Sequence, residues 1–257
     1  TTLNGEGLQH EDGHSHVLAS TFPNLKSYDP AFAYELAVIV RDGIHRMYQL
    51  GENIFYYITL YNENYQMPAM PEGENIEEGI IKGAYCCHPR QGSGEPIDLL
   101  ASGSMMQQAI AAAGILKDLG YAPAIWSVTS YVELAREAEA CERQARLDPL
   151  SPRPQPYVEG LFATATGPVI AVSDYLKSLP GGIARWMPES YTVLGTDGFG
   201  LSESREDLRD HFEVSTAHIV QAALVELYRS GRMSEQVLRE QTSTLGIDAQ
   251  KVDPAAR

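Results

Sequence analysis

The stretch IDLLASGSMMQQAIAAAGILKDLGYAPAIWSV, Ile97 to Val128, decides the fold, because it reads as strand, helix, strand within a single βαβ length. IDLLAS (97–102), apolar apart from Asp98 and Ser102, reads as a strand. Ser104 is expected to cap a helix over 105–119 that stops at Gly120, and AIWSV (124–128) is the next strand. Downstream the alternation continues. Ser130 with Glu133 three residues later makes a capping box that opens a helix over 131–146, and a link rich in proline (Pro149, Pro152, Pro154, Pro156) leads to the strand VIAV at 169–172. A helical stretch over 174–187, interrupted at Pro180-Gly181-Gly182, precedes the strand YTVLG at 191–195. Strands and helices alternating at this length imply a mainly parallel, open sheet covered on both faces, an α/β unit. Helices at 203–211, 215–230 and 234–244 close the chain; in the middle one Ile219, Val220, Ala223, Leu224 and Leu227 make one apolar face and Gly231 the stop.

Upstream, Asp29-Pro30 reads as an N-cap followed by proline in the first turn, and Phe32, Leu36, Ile39, Val40, Ile44 and Met47 recur at helical spacing, so a long helix is expected over 30–49. IFYYITLY, Ile54 to Tyr61, reads as a buried strand. Between Asn62 and Gly79 both periodicities fail among prolines, glycines and glutamates, and a boundary is placed there. Residues 1–61 offer too little structure to cover that helix and strand, and the chain starts at Thr1 rather than Met, so the remainder of the first unit is expected upstream.

Composition narrows the function. The 257 residues are 44% apolar and 21% charged, the mix of a globular protein. Nineteen Lys and Arg against 34 Asp and Glu leave a formal charge of −15, a field that repels a phosphate backbone and an anionic membrane surface. No apolar run approaches the ~20 residues of a membrane span and no signal peptide is visible, so a cytoplasmic protein is expected. Cys86, Cys87 and Cys141 are odd in number and two are adjacent, which fits free structural thiols in a reducing compartment.

The densest polar cluster is NGEGLQHEDGHSH, Asn4 to His16, holding three of the seven histidines. Its glycines favour a loop, and loops are where chemistry concentrates. His10-Glu11-Asp12-Gly13-His14 matches the H-E-x-x-H pattern of zinc hydrolases, but that chemistry needs both imidazoles on one helical face, and Asp12, Gly13 and the missing apolar stripe oppose it. A different reading pairs His10 with Glu6: an imidazole can give or take a proton near neutral pH, and a carboxylate close by orients it. T-D-G-F-G, Thr196 to Gly200, reads as a turn into a segment capped by Ser202, with Asp197 and Arg205 as candidate interface charges. Met67 and Met70 read as packing between units.

Four separated runs in order, TTLNGEGLQHEDGHSH (1–16), SYDPAFAYELAVIVRDGIHRMY (27–48), YYITLYNENYQMPAMPEG (56–73) and VLGTDGFGLSESREDLRDHFEV (193–214), resemble the C-terminal portion of the homodimeric pyruvate dehydrogenase first component, a decarboxylating thiamine-diphosphate enzyme. The resemblance spans essentially the whole chain. It implies that residues 1–65 are the tail of a pyrimidine-binding thiamine-diphosphate domain, 66–79 a linker, and 80–257 an open, mainly parallel α/β domain like the C-terminal domain of transketolase. It also implies thiamine diphosphate and Mg²⁺ as cofactors, pyruvate as substrate, a homodimer in a multienzyme complex, and the lipoyl domain of a dihydrolipoyl acyltransferase as partner. The motif N-G-E-G-L-Q-H maps the family's active-site pair onto Glu6 and His10, with His10 orienting pyruvate and managing protons as the acetyl group passes to lipoamide. For His14 and His16 packing or hydrogen bonding is expected instead. The family's diphosphate and Mg²⁺ segment and its cofactor-protonating glutamate are not among these residues, so the chain alone is not expected to turn over. A non-catalytic dimerisation or assembly module is the alternative from another class.

Overall fold

The computed structural model describes residues 1–5 and 7–256. In chain order the elements are α1 (Ser15–Ser20), β1 (Leu25–Tyr28), α2 (Ala33–Ile44), β2 (Phe55–Ile58), α3 (Ile76–Lys82), β3 (Tyr85–His88), β4 (Pro96–Ala101), α4 (Met105–Asp118), β5 (Ala122–Ser127), α5 (Tyr131–Leu147), α6 (Tyr157–Phe162), β6 (Val169–Val172), α7 (Ser178–Gly181), β7 (Tyr191–Leu194), α8 (Arg205–His211), α9 (Thr216–Arg229) and α10 (Glu235–Thr242). Among the described residues one sheet has the order β3-β5-β4-β6-β7, parallel except for β3, which runs antiparallel to β5. β1 and β2 form a separate parallel pair.

Alternation along the central strands divides the core. Ile97, Leu99, Ala101, Ile170 and Val172 pack with buried residues of α4 and α9, whereas Leu100, Val169 and Ala171 join Val132, Leu134, Val158 and Phe162 of α5 and α6. Both faces of β4 and β6 are therefore covered, as apolar residues on both sides of each strand require. Met106, Ala109, Ala113 and Leu116 of α4 and the expected apolar face of α9 are buried at helical spacing.

Several local expectations are corrected. Helix α2 begins at Ala33, not Pro30, and its N-terminus is capped by Glu35, whose Oε2 accepts from the backbone N–H of Ala31 (2.6 Å) and Phe32 (3.0 Å). Asp29 instead turns its carboxylate to the hydroxyls of Thr59 and Tyr61. The strand expected over 54–61 is β2, four residues long and exposed to half-buried, because among the described residues it pairs with β1 alone. Ser104 precedes α4 without a side-chain cap bond, and the cap of α8 is Ser204, which accepts from Asp207 N at 3.1 Å, rather than Ser202. Half of the expected capping box stands: Ser130 Oγ accepts from Glu133 N at 3.0 Å, while the Glu133 carboxylate pairs with Lys26 and Arg136. The stretch 174–187 holds only α7 and a 3₁₀ turn at Ala184–Trp186. Met67 and Met70 are exposed. Residues 59–72 carry no regular structure, and Glu63 there pairs with Arg209 of α8.

The first 61 residues are bonded to the rest through buried polar groups. Asp29 N donates to Thr129 O (2.8 Å), Gly103 N to Asp29 O (3.1 Å), and Ser130 Oγ to Ser27 O (2.6 Å). Arg136 of α5 donates to the carbonyls of Ser20 and Phe22 behind α1. Most enclosed is Glu35, which is fully buried: besides its two backbone donors, Oε1 accepts from Tyr85 OH and Ser127 Oγ, both at 2.5 Å. Burial pushes its carboxyl above the ordinary range, and the four donors oppose that shift. Replacing Glu35 with glutamine sets an amide N–H₂ against two of those donors, so Glu35→Gln is expected to lower unfolding stability by roughly 3 kcal/mol, read from urea denaturation; a change below about 0.5 kcal/mol would show that the donors are met by other groups.

Candidate active site

The His10 segment is a loop, as its glycines imply. A 3₁₀ turn, Leu8–His10, is closed by His10 N donating to Gly7 O at 2.9 Å, and the His10 side chain is exposed, with no hydrogen bond to a described residue. Glu6, the other expected site residue, lies outside the described residues. Glu11 turns inward, is buried, and accepts from Leu3 N through Oε2 at 3.3 Å. Asp12 then caps α1, accepting from His14 N (2.9 Å) and Ser15 N (3.0 Å). Burial alone would raise the Asp12 carboxyl, but the Ser15 hydroxyl and these two N–H groups hold it below the ordinary range.

The geometry of a zinc hydrolase is not formed. His10 ends a 3₁₀ turn, His14 precedes α1, and Glu11 points into the core, so the two imidazoles do not share a helical face. Among the described residues no group of three or more His, Cys, Asp or Glu side chains is arranged to hold a metal. The cysteines are free, and burial pushes each thiol up, Cys86 to about 11, which is the reverse of an activated nucleophile.

Loops at the carboxyl ends of β6 and β7 carry the turn. Leu176 N donates to Gly13 O (3.0 Å) and Gly5 N to Glu203 O (2.9 Å), with Asn4 and Glu203 paired in a parallel bridge. The His14 ring stands 6.3 Å from that of Phe199, which is 81% exposed. The carboxyl edge of a parallel sheet is where α/β folds place their ligands. Asp197 and Arg205, expected as interface charges, act within the chain: Asp197 accepts from Lys177 N at 2.9 Å, and Arg205 donates to Asn62 Oδ1 at 2.7 Å.

Behind the turn, α1 delivers His16 into the core. Its ring meets the rings of Tyr175 (4.6 Å) and Tyr57 (5.3 Å) edge-on. Nε2 lies 2.9 Å from Thr59 Oγ1 and Nδ1 against Ser27 Oγ. Thr59 gives its one hydroxyl proton to Asp29 Oδ1 (2.7 Å), so it accepts from His16 Nε2–H, and Nδ1 of the neutral ring accepts from Ser27. Tyr61 OH donates to the same Asp29 oxygen at 2.8 Å. Sequence reasoning missed this network, because Asp29 was claimed by a helix cap and nothing in the spacing joins Thr59 to His16.

The fold resembles solved transketolases: one from Leishmania mexicana aligns over 89% of this chain and 29% of its own, with a TM-score of 0.62 at 17% identity. A split-gene transketolase described as an inactive beta4 tetramer aligns over 86% of this chain and 63% of its own, with a TM-score of 0.53 at 17% identity. Two family models match, the pyruvate dehydrogenase E1 component middle domain over residues 1–68 and the transketolase-like C-terminal domain over 83–215. The second covers more than half of the chain, which therefore belongs to the transketolase-like family. Over 99% of its length it is 50% identical to the pyruvate dehydrogenase E1 component of Escherichia coli K12 and 49% identical to that of Pseudomonas aeruginosa. It spans 28% and 29% of the length of those two relatives.

Burial lowers the His16 pKa below 6.5, against the pull of Asp29 and Asp12. The folded state then binds fewer protons than the unfolded one below that value, so the stability from His16 is present above about pH 6.5 and is lost as pH falls through the folded pKa. The denaturation midpoint is expected to drop between about pH 7.5 and 5.5, and His16→Gln to flatten that drop; an unchanged slope in the variant assigns the acid limb to other groups, such as His218, whose pKa burial also lowers.

Proposed function

We propose that this chain is the part of a pyruvate dehydrogenase E1 component that places His10 at the active site, with residues 1–65 ending a pyrimidine-binding domain, 66–79 linking, and 80–257 forming the C-terminal domain. The reading takes the reaction to be oxidative decarboxylation of pyruvate: carbon dioxide leaves, and the two-carbon remainder is oxidised to an acetyl group while the lipoyl disulfide of the acyltransferase partner is reduced. The observation that carries it is the exposed imidazole of His10, held by its own backbone at the carboxyl edge of the sheet, in a chain similar to E1 components along its whole length. A cytoplasmic homodimer is part of the same reading.

Thiamine diphosphate would supply the thiazolium carbon that bonds to the pyruvate carbonyl. The described residues suit a substrate-facing role rather than a diphosphate and Mg²⁺ role, since they offer an unengaged imidazole but no cluster of metal ligands. His10 would donate a hydrogen bond to the oxygen of that carbonyl and serve there as the proton-transferring side chain. Glu6 belongs to the same motif and is assigned to the same polar network. Glu11 and Asp12 are turned inward and onto α1, while His10 stays exposed on the turn.

In the full-length protein loaded with cofactor, His10→Ala is expected to lower pyruvate-dependent dichlorophenolindophenol reduction by about 10²-fold or more with the thermal midpoint unchanged; an undiminished rate would falsify the role of His10.

A further inference from the structure

We propose that Gly200 is a positioning residue for His10, and that the segment 200–205 of the C-terminal half clamps the His10 turn at both of its ends. The inference rests on the catalytic reading of His10 and adds what sets the place of the imidazole. At the leading end, Asn4 pairs with Glu203, Gly5 N donates to Glu203 O (2.9 Å), and Arg205 N donates to Asn4 Oδ1 (3.4 Å). At the trailing end, Gly200 lies directly on Glu11. A Cβ built on Gly200 would stand 2.0 Å from Glu11 Cβ and 2.9 Å from the Glu11 carbonyl oxygen. The requirement for glycine here is one of space.

The neighbour cannot yield by rotating a side chain, because the atom met is a Cβ and moves only with its backbone. Glu11 is buried and holds Leu3 N, and its own N–H donates to Leu8 O (3.2 Å), closing the turn on which His10 stands. Asp12 N donates to His10 O at 3.1 Å, which couples the next residue to the same turn. A methyl at position 200 therefore passes a displacement of about 1 Å or more to the residue beside the imidazole, and misplacement of that size costs on the order of 10²-fold when a group must meet a reacting centre.

A double-mutant cycle in the full-length, cofactor-loaded protein tests this. Gly200→Ala is expected to lower kcat for pyruvate-dependent dye reduction between about tenfold and 10²-fold, and to cause no further loss in the His10→Ala background, since the group it positions is gone. Asn4→Ala, which removes the bond from Arg205 N, is expected to behave in the same way with a loss of about threefold, and carries the cycle alone if Gly200→Ala does not fold. An equal fold-loss in both backgrounds, which a purely structural role produces, or full kcat in Gly200→Ala, overturns the proposal. Failure of the catalytic reading has a separate signature: full activity in His10→Ala by itself.

Discussion

The four hydrogen bonds accepted by the buried carboxylate of Glu35 set how the two halves of the chain meet. Two come from the backbone just before α2, at Ala31 and Phe32, and two from Tyr85 on β3 and Ser127 at the end of β5. A fully buried carboxylate without donors is costly, whereas with all four it orients the helix end against the sheet edge. Tyr34 OH extends the set to Tyr85 OH at 2.6 Å. Two residues upstream of Ala31, Asp29 is held by Thr129 O and Gly103 N, and its carboxylate meets the hydroxyls under His16. The register of α2 on the sheet thus reaches α1 and the loop before it through a short run of bonded groups.

Where burial follows from periodicity, the sequence was legible. The runs over 97–102 and 169–172 became doubly covered strands, and the apolar stripe of the penultimate helix became a packed face. Legibility failed where a tertiary partner outcompeted a local motif. Asp29-Pro30 has the form of a helix start, but two hydroxyls from residues 59 and 61 compete for the carboxylate and Glu35 caps from inside the helix. The strand at Tyr85–His88 is short, bulged between Cys86 and His88, and lies at a sheet edge, so it carries no pattern to find. At the site, the loop and the isolation of His10 from any metal-binding helix were readable from Gly5, Gly7 and Gly13. The contact between Gly200 and Glu11, 189 positions apart, was not, because nothing local marks it.

His10 and His16 show how backbone geometry separates two imidazoles six positions apart. The cap formed by Asp12 starts a helix between them, which turns His16 inward among Tyr57, Tyr175, Ser27 and Thr59 while His10 stays on the preceding turn in solvent. Enclosure lowers the pKa of the inner ring, and two hydroxyl partners hold it in place. The outer ring retains unused hydrogen-bonding capacity, which a substrate-facing group needs and a buried one cannot keep.

The sheet order places a topological switch between β4 and β6, the position where open α/β sheets take ligands. Here the chain's own first half occupies that crevice. Gly103, on the loop leaving β4, has a left-handed φ of 49° and donates its N–H to Asp29 O, and a Cβ there would lie 2.5 Å from the Tyr61 hydroxyl and 2.7 Å from Asp29 Oδ1. On the β6 side Thr2 N donates to Asp174 Oδ1 at 3.1 Å. At these points the crevice is filled by the chain's own side chains and backbone. The loops after β6 and β7 hold the His10 turn at Gly13, Gly5 and Glu11, and the imidazole stays exposed on that turn.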